Sequence, residues 1–159
     1  MKTMVLFVTV LLNALAAGFF TAWSVSVILG TKKVGDFTYL ETMQHINKEI
    51  LNPLFFTLFF GSLITLIITT TLQYYHKPAF WFVLAATLVY LIGTFGVTAF
   101  GNVPLNNALE ALDLNTMSSL EVQDFRTYYE HAWNKFHRIR TLSGLLSFIL
   151  LLIAVFIKH

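Results

Sequence analysis

No cysteine occurs among the 159 residues, which removes disulfides, thiolate metal ligands and thiol relays together. Four-helix membrane proteins that reduce quinones through a Cys-x-x-Cys pair are excluded with them. Charge is scarce as well: Asp, Glu, Lys and Arg make up 11% of the chain, against about 25% in soluble domains. No carboxylate precedes Asp36 or follows Glu130. From Ser119 to the last residue there is no proline, and Gly144 is the only glycine. Nothing repeats internally and no segment is of low complexity. Nucleotide loops, nucleophile elbows and basic nucleic-acid patches are missing, so no nucleic-acid partner is expected.

What is abundant is apolar. Hydrophobic residues reach 57% and aromatics 16%, with a mean hydropathy of +0.71. Four runs, at 4–29, 51–74, 79–100 and 139–157, approach or exceed the ~20 residues that cross a hydrocarbon core of ~30 Å. The first begins like a secretory signal, but it continues through Phe19, Phe20 and Trp23 to Leu29. A signal's apolar region is only about 7–15 residues long, so we read a retained span. The expectation is an all-α integral membrane four-helix bundle, one domain over residues 1–159, with the lipid bilayer as its first partner.

Four spans put both termini on one side and the two long loops on the other. All eight carboxylates lie in those loops, with seven of the ten Lys and Arg residues. A raw cation count places the loop face in the cytoplasm. Mixed charge in helix-forming loops instead predicts a folded cap with internal ion pairs, and the termini are then read as cytoplasmic.

The cap elements are expected at 37–50 and 102–138. Leu40, Met43, Ile46 and Ile50 recur at helical spacing, and Pro53 suits the first turn of span two. Asn102 or Val103 is expected to cap a new short helix carrying Pro104 in its first turn. Ser118 and Glu121 make a capping box, after which one helix can run to the end of the chain, ~60 Å at 1.5 Å per residue.

Polar residues collect where hydrocarbon begins, in the stretch from Gly101 to Thr141. Trp133, His137, Arg140, Thr141 and Gly144 share one helix face. Arg140 cannot shed its charge and needs a carboxylate, carbonyls, a ligand anion or headgroup water; snorkelling is the plainer alternative. His137 beside it can act as a general base or serve packing alone, and Trp133 can be an interfacial anchor. Asn102, Asn106 and Asn107 exceed the needs of one cap, so a carboxamide can point into the bundle. Gln44 and Asn47 share a polar face on the first cap helix. In span one, Asn13, Ala17, Thr21 and Ser24 read as a packing stripe, and Gly93 and Gly96 as helix contacts.

Metal ligands are poorly arranged. His131 and His137 are six apart, on different helix faces, and no carboxylate-histidine motif frames them. Haem held between His45 and His137 is the remaining cofactor alternative; none is otherwise expected.

The order Met43-Gln44-x-Ile46-Asn47, Asn52-Pro53-x-Phe55, Gly101-Asn102-Val103-Pro104-Leu105-Asn106 and Trp133-x3-His137-x2-Arg140-Thr141 resembles the anthrone oxygenase-like family of small four-helix membrane proteins. The resemblance covers nearly the whole chain. It implies oxidation of an anthrone-like aromatic to a quinone; for such a lipophilic substrate, anthrone-like or hydroquinone-like, the chemistry fits a cofactor-independent route in which an enolate-like anion reduces dioxygen directly. On the matching positions His137 is expected as base, Arg140 with Asn106 as oxyanion clamp, and Asn102, Trp133, Gln44 and Asn47 as substrate contacts. The alternatives are a non-catalytic binder of a quinone or other lipophile, an accessory subunit, or a haem- or metal-binding protein. A transporter fits less well without inverted repeats, unless the chain forms a homo-oligomer.

Overall fold

The computed structural model describes residues 2–75 and 77–158. Span one is a single helical run: α1 (Lys2–Ala22), a π-helical segment at Trp23–Val27, and α2 (Ile28–Thr31). The flanking Ala22 and Ile28 keep helical dihedrals, so the run is wound wider at its end rather than broken. α3 (Asp36–Glu49) begins after extended Gly35, with Asp36 in its first turn and Lys48 in its last, each of the sign its helix end favours. α4 (Pro53–Leu72) is capped by Asn52, whose side chain accepts from Phe55 N at 3.0 Å. The turn to span three includes residue 76, which lies outside the described residues.

Span three runs from α5 (Lys77–Val89) through π-helical segments at Tyr90–Gly96 and Thr98–Asn102 into α6 (Val103–Glu110). This corrects the expectation of a new helix capped at Asn102. Asn102 is helical, with φ −72° and ψ −42°, and its side chain caps nothing. Pro104 lacks an amide hydrogen, and in a regular helix its ring meets the carbonyl of residue 100. The widened turn just before it accommodates the ring, so the helix continues past proline without ending.

The capping box forms as expected, with Ser118 N donating to Glu121 Oε2 at 2.8 Å and Glu121 N to Ser118 Oγ at 3.4 Å. From it α7 (Ser119–Lys158) runs 40 residues without interruption. Four helical stretches, Thr3–Thr31, Pro53–Leu72, Lys77–Glu110 and Ser119–Ile157, are long and apolar enough to cross a membrane. The protein is an all-helical integral membrane bundle in which α1, α4, α5 and α7 close a ring. Met4, Phe7, Leu11 and Leu15 line an exposed apolar stripe on α1, at the spacing a lipid-facing helix side requires.

Inside the bundle, small and hydroxylated side chains satisfy one another, as a medium without water demands. Thr9 and Thr69 lie 2.7 Å apart, Ser147 donates to Ala86 O at 2.9 Å, and Tyr90 donates to Phe59 O at 3.0 Å. A β-carbon on Gly93 would fall on Ser143, so that glycine is a helix contact, as expected.

A second core forms the cap, where Tyr39, Leu40 and Met43 of α3 meet Leu105 and Leu109 of α6 and Tyr129 and Trp133 of α7. The cap carries the three ion pairs found among the described residues: Lys48–Glu110 at 2.8 Å, Arg126–Asp36 at 2.9 Å and Arg126–Glu130 at 3.1 Å. Arg126 also donates to Val34 O at 2.7 Å and lies 4.6 Å from the Tyr39 ring centre, tying the turn before α3 to α7. Burial raises the Tyr39 phenol above its ordinary pKa.

Candidate functional site

Where cap meets bundle, α7 passes α1 on one side and span three on the other, and its polar face meets both. The steps from Trp133 to His137 to Arg140 stack these side chains along one helix face. Trp133 and His137 lie nearly parallel, centroids 5.1 Å apart and 8° between planes. The Arg140 guanidinium is held between the rings of Phe20 and Trp133, 4.6 and 4.9 Å from their centres. Each such contact favours the cation by about 0.5–2 kcal/mol.

Arg140 is 8% exposed, and none of the ion pairs among the described residues involves it. Its hydrogen bonds go to a neutral acceptor: Nε and Nη2 both reach His137 Nδ1, at 3.2 and 3.0 Å. A guanidinium only donates, so Nδ1 must be the ring's lone-pair nitrogen. The neutral imidazole then carries its proton on Nε2, which donates to Ser24 Oγ at 2.8 Å. Ser24 spends its own hydrogen on Phe20 O at 3.0 Å, and Thr141 donates to His137 O at 2.7 Å. The tautomer is thus assigned by the bonding pattern.

A cavity of about 370 Å³ opens beside this cluster, within the size range of small-molecule sites. Phe19, Phe20, Trp23 and Phe55 supply its apolar wall. Arg140, Trp133, Asn102, Asn106 and Asn47 line it as well, with the Lys48–Glu110 pair at its rim. Asn106 Oδ1 accepts from Trp133 Nε1 at 2.9 Å and from Tyr129 OH at 3.1 Å, and Asn47 donates to the same Tyr129 oxygen at 3.3 Å. Asn102 donates to Trp133 O at 3.2 Å, while its buried Oδ1 has no partner.

A larger cleft of about 640 Å³ lies on the other side of Ser24, lined by Lys32, Asp36, Arg126 and Glu130 among others. It is open and polar, and Arg126 is already committed to two carboxylates and a carbonyl. The smaller cavity therefore has the better claim: it combines apolar walls with a buried cation that lacks a counter-ion.

Of the residues expected at a site, Arg140, Trp133, Asn102, Asn106 and Asn47 converge on the cavity. His137 stands behind Arg140 and Trp133, with no exposed surface and its Nδ1 lone pair occupied by Arg140. Gln44 lies elsewhere: it donates to Leu109 O and Leu112 O at 2.9 and 3.1 Å, closing the end of α6. His45 and His131 are exposed, and neither lines this cavity. Among the described residues no three His, Asp or Glu side chains gather as a metal site.

Sequence reasoning missed Phe20, Trp23 and Ser24 in span one and Tyr129 on α7. The step of four from Tyr129 to Trp133 to His137 could have found the tyrosine. The span-one residues sit in or close to a π-helical segment, and Ser24 reaches His137 across 113 residues of chain; no local pattern announces them.

The family model described as anthrone oxygenase matches residues 46–150, a stretch that contains Asn47, the span-three segment through Asn106, and α7 through Arg140. No curated protein and no solved structure matches the chain.

Proposed function

We propose that this chain, which belongs to the anthrone oxygenase family, oxidises a lipophilic anthrone-like or hydroquinone-like aromatic with dioxygen in the cavity beside Arg140. Membership supports an oxygenase-like role; the substrate class is our inference. One observation carries it: a buried guanidinium with no carboxylate bonded to it forms part of the wall of a cavity lined largely by aromatic and aliphatic side chains and by carboxamides. Such a cation stabilises an oxyanion, and an aromatic ketone with an activated methylene becomes one when it loses a carbon-bound proton.

In the proposed cycle the guanidinium swings from His137 to the substrate oxygen. That movement frees His137 Nδ1, which takes the methylene proton while Nε2 keeps its bond to Ser24. The resulting enolate passes one electron to dioxygen, and recombination of the radical pair forms a carbon–oxygen bond. His137 returns its proton to the peroxide anion. Loss of the second methylene hydrogen, with cleavage of the O–O bond, gives the quinone carbonyl and water. The balance is one anthrone and one dioxygen in, one anthraquinone and one water out, with no external reductant.

Asn106 and Asn102 are placed to orient polar groups of the bound ring system, and the aromatic wall to hold its faces. Oxygen uptake by the purified protein in lipid nanodiscs, with 1,8-dihydroxyanthrone, tests the reading. Stoichiometric quinone formation that disappears in Arg140→Met supports it. Binding of the compound without turnover above the uncatalysed rate refutes it in favour of a lipophile carrier.

A further inference from the structure

We infer that Ser24 is a positioning residue of this site: it holds His137 in the Nε2–H tautomer, so that Nδ1 presents its lone pair to Arg140, which lines the cavity. The inference deepens the oxygenase reading and rests on it for the consequence in turnover, though not for the tautomer itself.

A serine in a membrane helix commonly donates to the carbonyl four residues back, and Ser24 does so with Phe20 O at 3.0 Å. Its oxygen lone pairs then remain free, so toward His137 it can only accept. The 2.8 Å contact to Nε2 is therefore a bond in which the ring donates. At the far nitrogen, Arg140 can only donate. The two ends agree on one tautomer, and each removes the alternative. This is the arrangement of an oriented base, in which a third group fixes which ring nitrogen faces the reacting atoms.

The backbone supports the same assignment. Trp23 and Ser24 open the π-helical segment of span one, a form that often marks functional positions. Adjacent in that segment, they meet residues four apart on α7: the Trp23 ring lies 5.8 Å from that of Trp133, while Ser24 reaches His137. Ser24 also lines the polar cleft. Thr141 Oγ, 3.3 Å from Nε2, is the competing acceptor, but it is the longer contact and its hydrogen serves His137 O.

Histidine-selective ¹⁵N NMR in nanodiscs reads the tautomer directly, with His137 assigned among the five histidines by its loss in His137→Gln. The wild type is expected to show a protonated Nε2 and an unprotonated Nδ1. Arg140→Met should keep the protonated Nε2, and adding Ser24→Ala to it should populate the other tautomer; Ser24→Ala alone, which leaves His137 unheld once the guanidinium moves to the substrate, should lower kcat for 1,8-dihydroxyanthrone about 10-fold to 100-fold, as loss of an orienting partner does elsewhere, with little change in KM. Ser24→Thr, which keeps the hydroxyl, should restore both, and Thr141→Val should leave the tautomer as in the wild type. A wild-type Nδ1–H signature, or a signature that stays unchanged when Ser24→Ala is added to Arg140→Met, overturns the inference. Absence of turnover in the wild type counts against the oxygenase reading alone, because the tautomer is read without substrate.

Discussion

Replacing Arg140 by methionine separates a cation kept for structure from one kept for a ligand. In place, the guanidinium gains about 0.5–2 kcal/mol from each of two aromatic faces and about 1.5–3 kcal/mol from its charge-assisted bonds to His137. Opposing these is the desolvation of a cation that is 8% exposed; for a buried ion this costs several kcal/mol. The terms nearly cancel. Methionine keeps much of the volume, packs well against aromatic rings and carries no charge. Arg140→Met is therefore expected to leave stability unchanged or raise it by about 1–2 kcal/mol, roughly 2–8 °C in Tm for a chain of this size. Binding of an anionic aromatic should move the other way. Loss of charge-assisted bonds worth about 1.5–3 kcal/mol weakens it roughly 10-fold to 150-fold. Thermal unfolding in nanodiscs gives the first number, and titration with ionised 2-hydroxyanthraquinone, followed by its colour, gives the second. A loss of more than about 2 kcal/mol in stability with anion affinity intact would refute the reasoning and make Arg140 a structural residue.

Other substitutions probe the frame around the cavity. In Gly101→Ala the new β-carbon would stand 2.7 Å from Phe136 Cγ; overpacking of this kind costs about 1–3 kcal/mol, and a lower Tm should accompany weaker ligand binding as Asn102 moves. Tyr129→Phe removes a hydroxyl that donates to Asn106 and accepts from Asn47. A loss of about 1–3 kcal/mol is expected from the groups left unpaired, and a double-mutant cycle with Asn106→Leu should show it to be non-additive. Tyr39 has its phenol pKa raised by burial, so its neutral form stabilises the cap fully below the unfolded value of about 10. That stability falls as pH rises beyond it. Circular dichroism should show the cap loosening in alkali, and Tyr39→Phe should reduce the pH dependence.

The helices and much of the site were legible because both depend on short-range spacing. The apolar runs, the Ser118 cap, and the Trp133–His137–Arg140 face all follow from neighbours within four residues of one another. Asn102 was misread as a cap because a proline two residues on ordinarily starts a helix; the widened turn that absorbs Pro104 has no sequence mark. Gln44 carries the chemistry of a binding residue, and only the fold shows its amide spent on the end of α6. Ser24 was the reverse case, a plain packing residue in sequence whose partner stands 113 positions away. Contacts at that separation depend on helix rotation, which the π-helical turns alter by a fraction of a turn.

The uninterrupted α7 also constrains how a ligand comes and goes. Its residues serve the cap core and the bundle alike, so the cap cannot lift away as a lid: no hinge exists on that side. On the proposed function, the opposite seam offers a route for exchange, where α3 faces α6 and the exposed Lys48–Glu110 pair stands at the cavity rim. An exposed pair of that kind contributes only about 0–1 kcal/mol, a latch weak enough to open without unfolding its neighbours. For a ligand of the proposed kind, the cost of opening that seam, rather than the stability of the whole fold, would then govern residence time in the cavity.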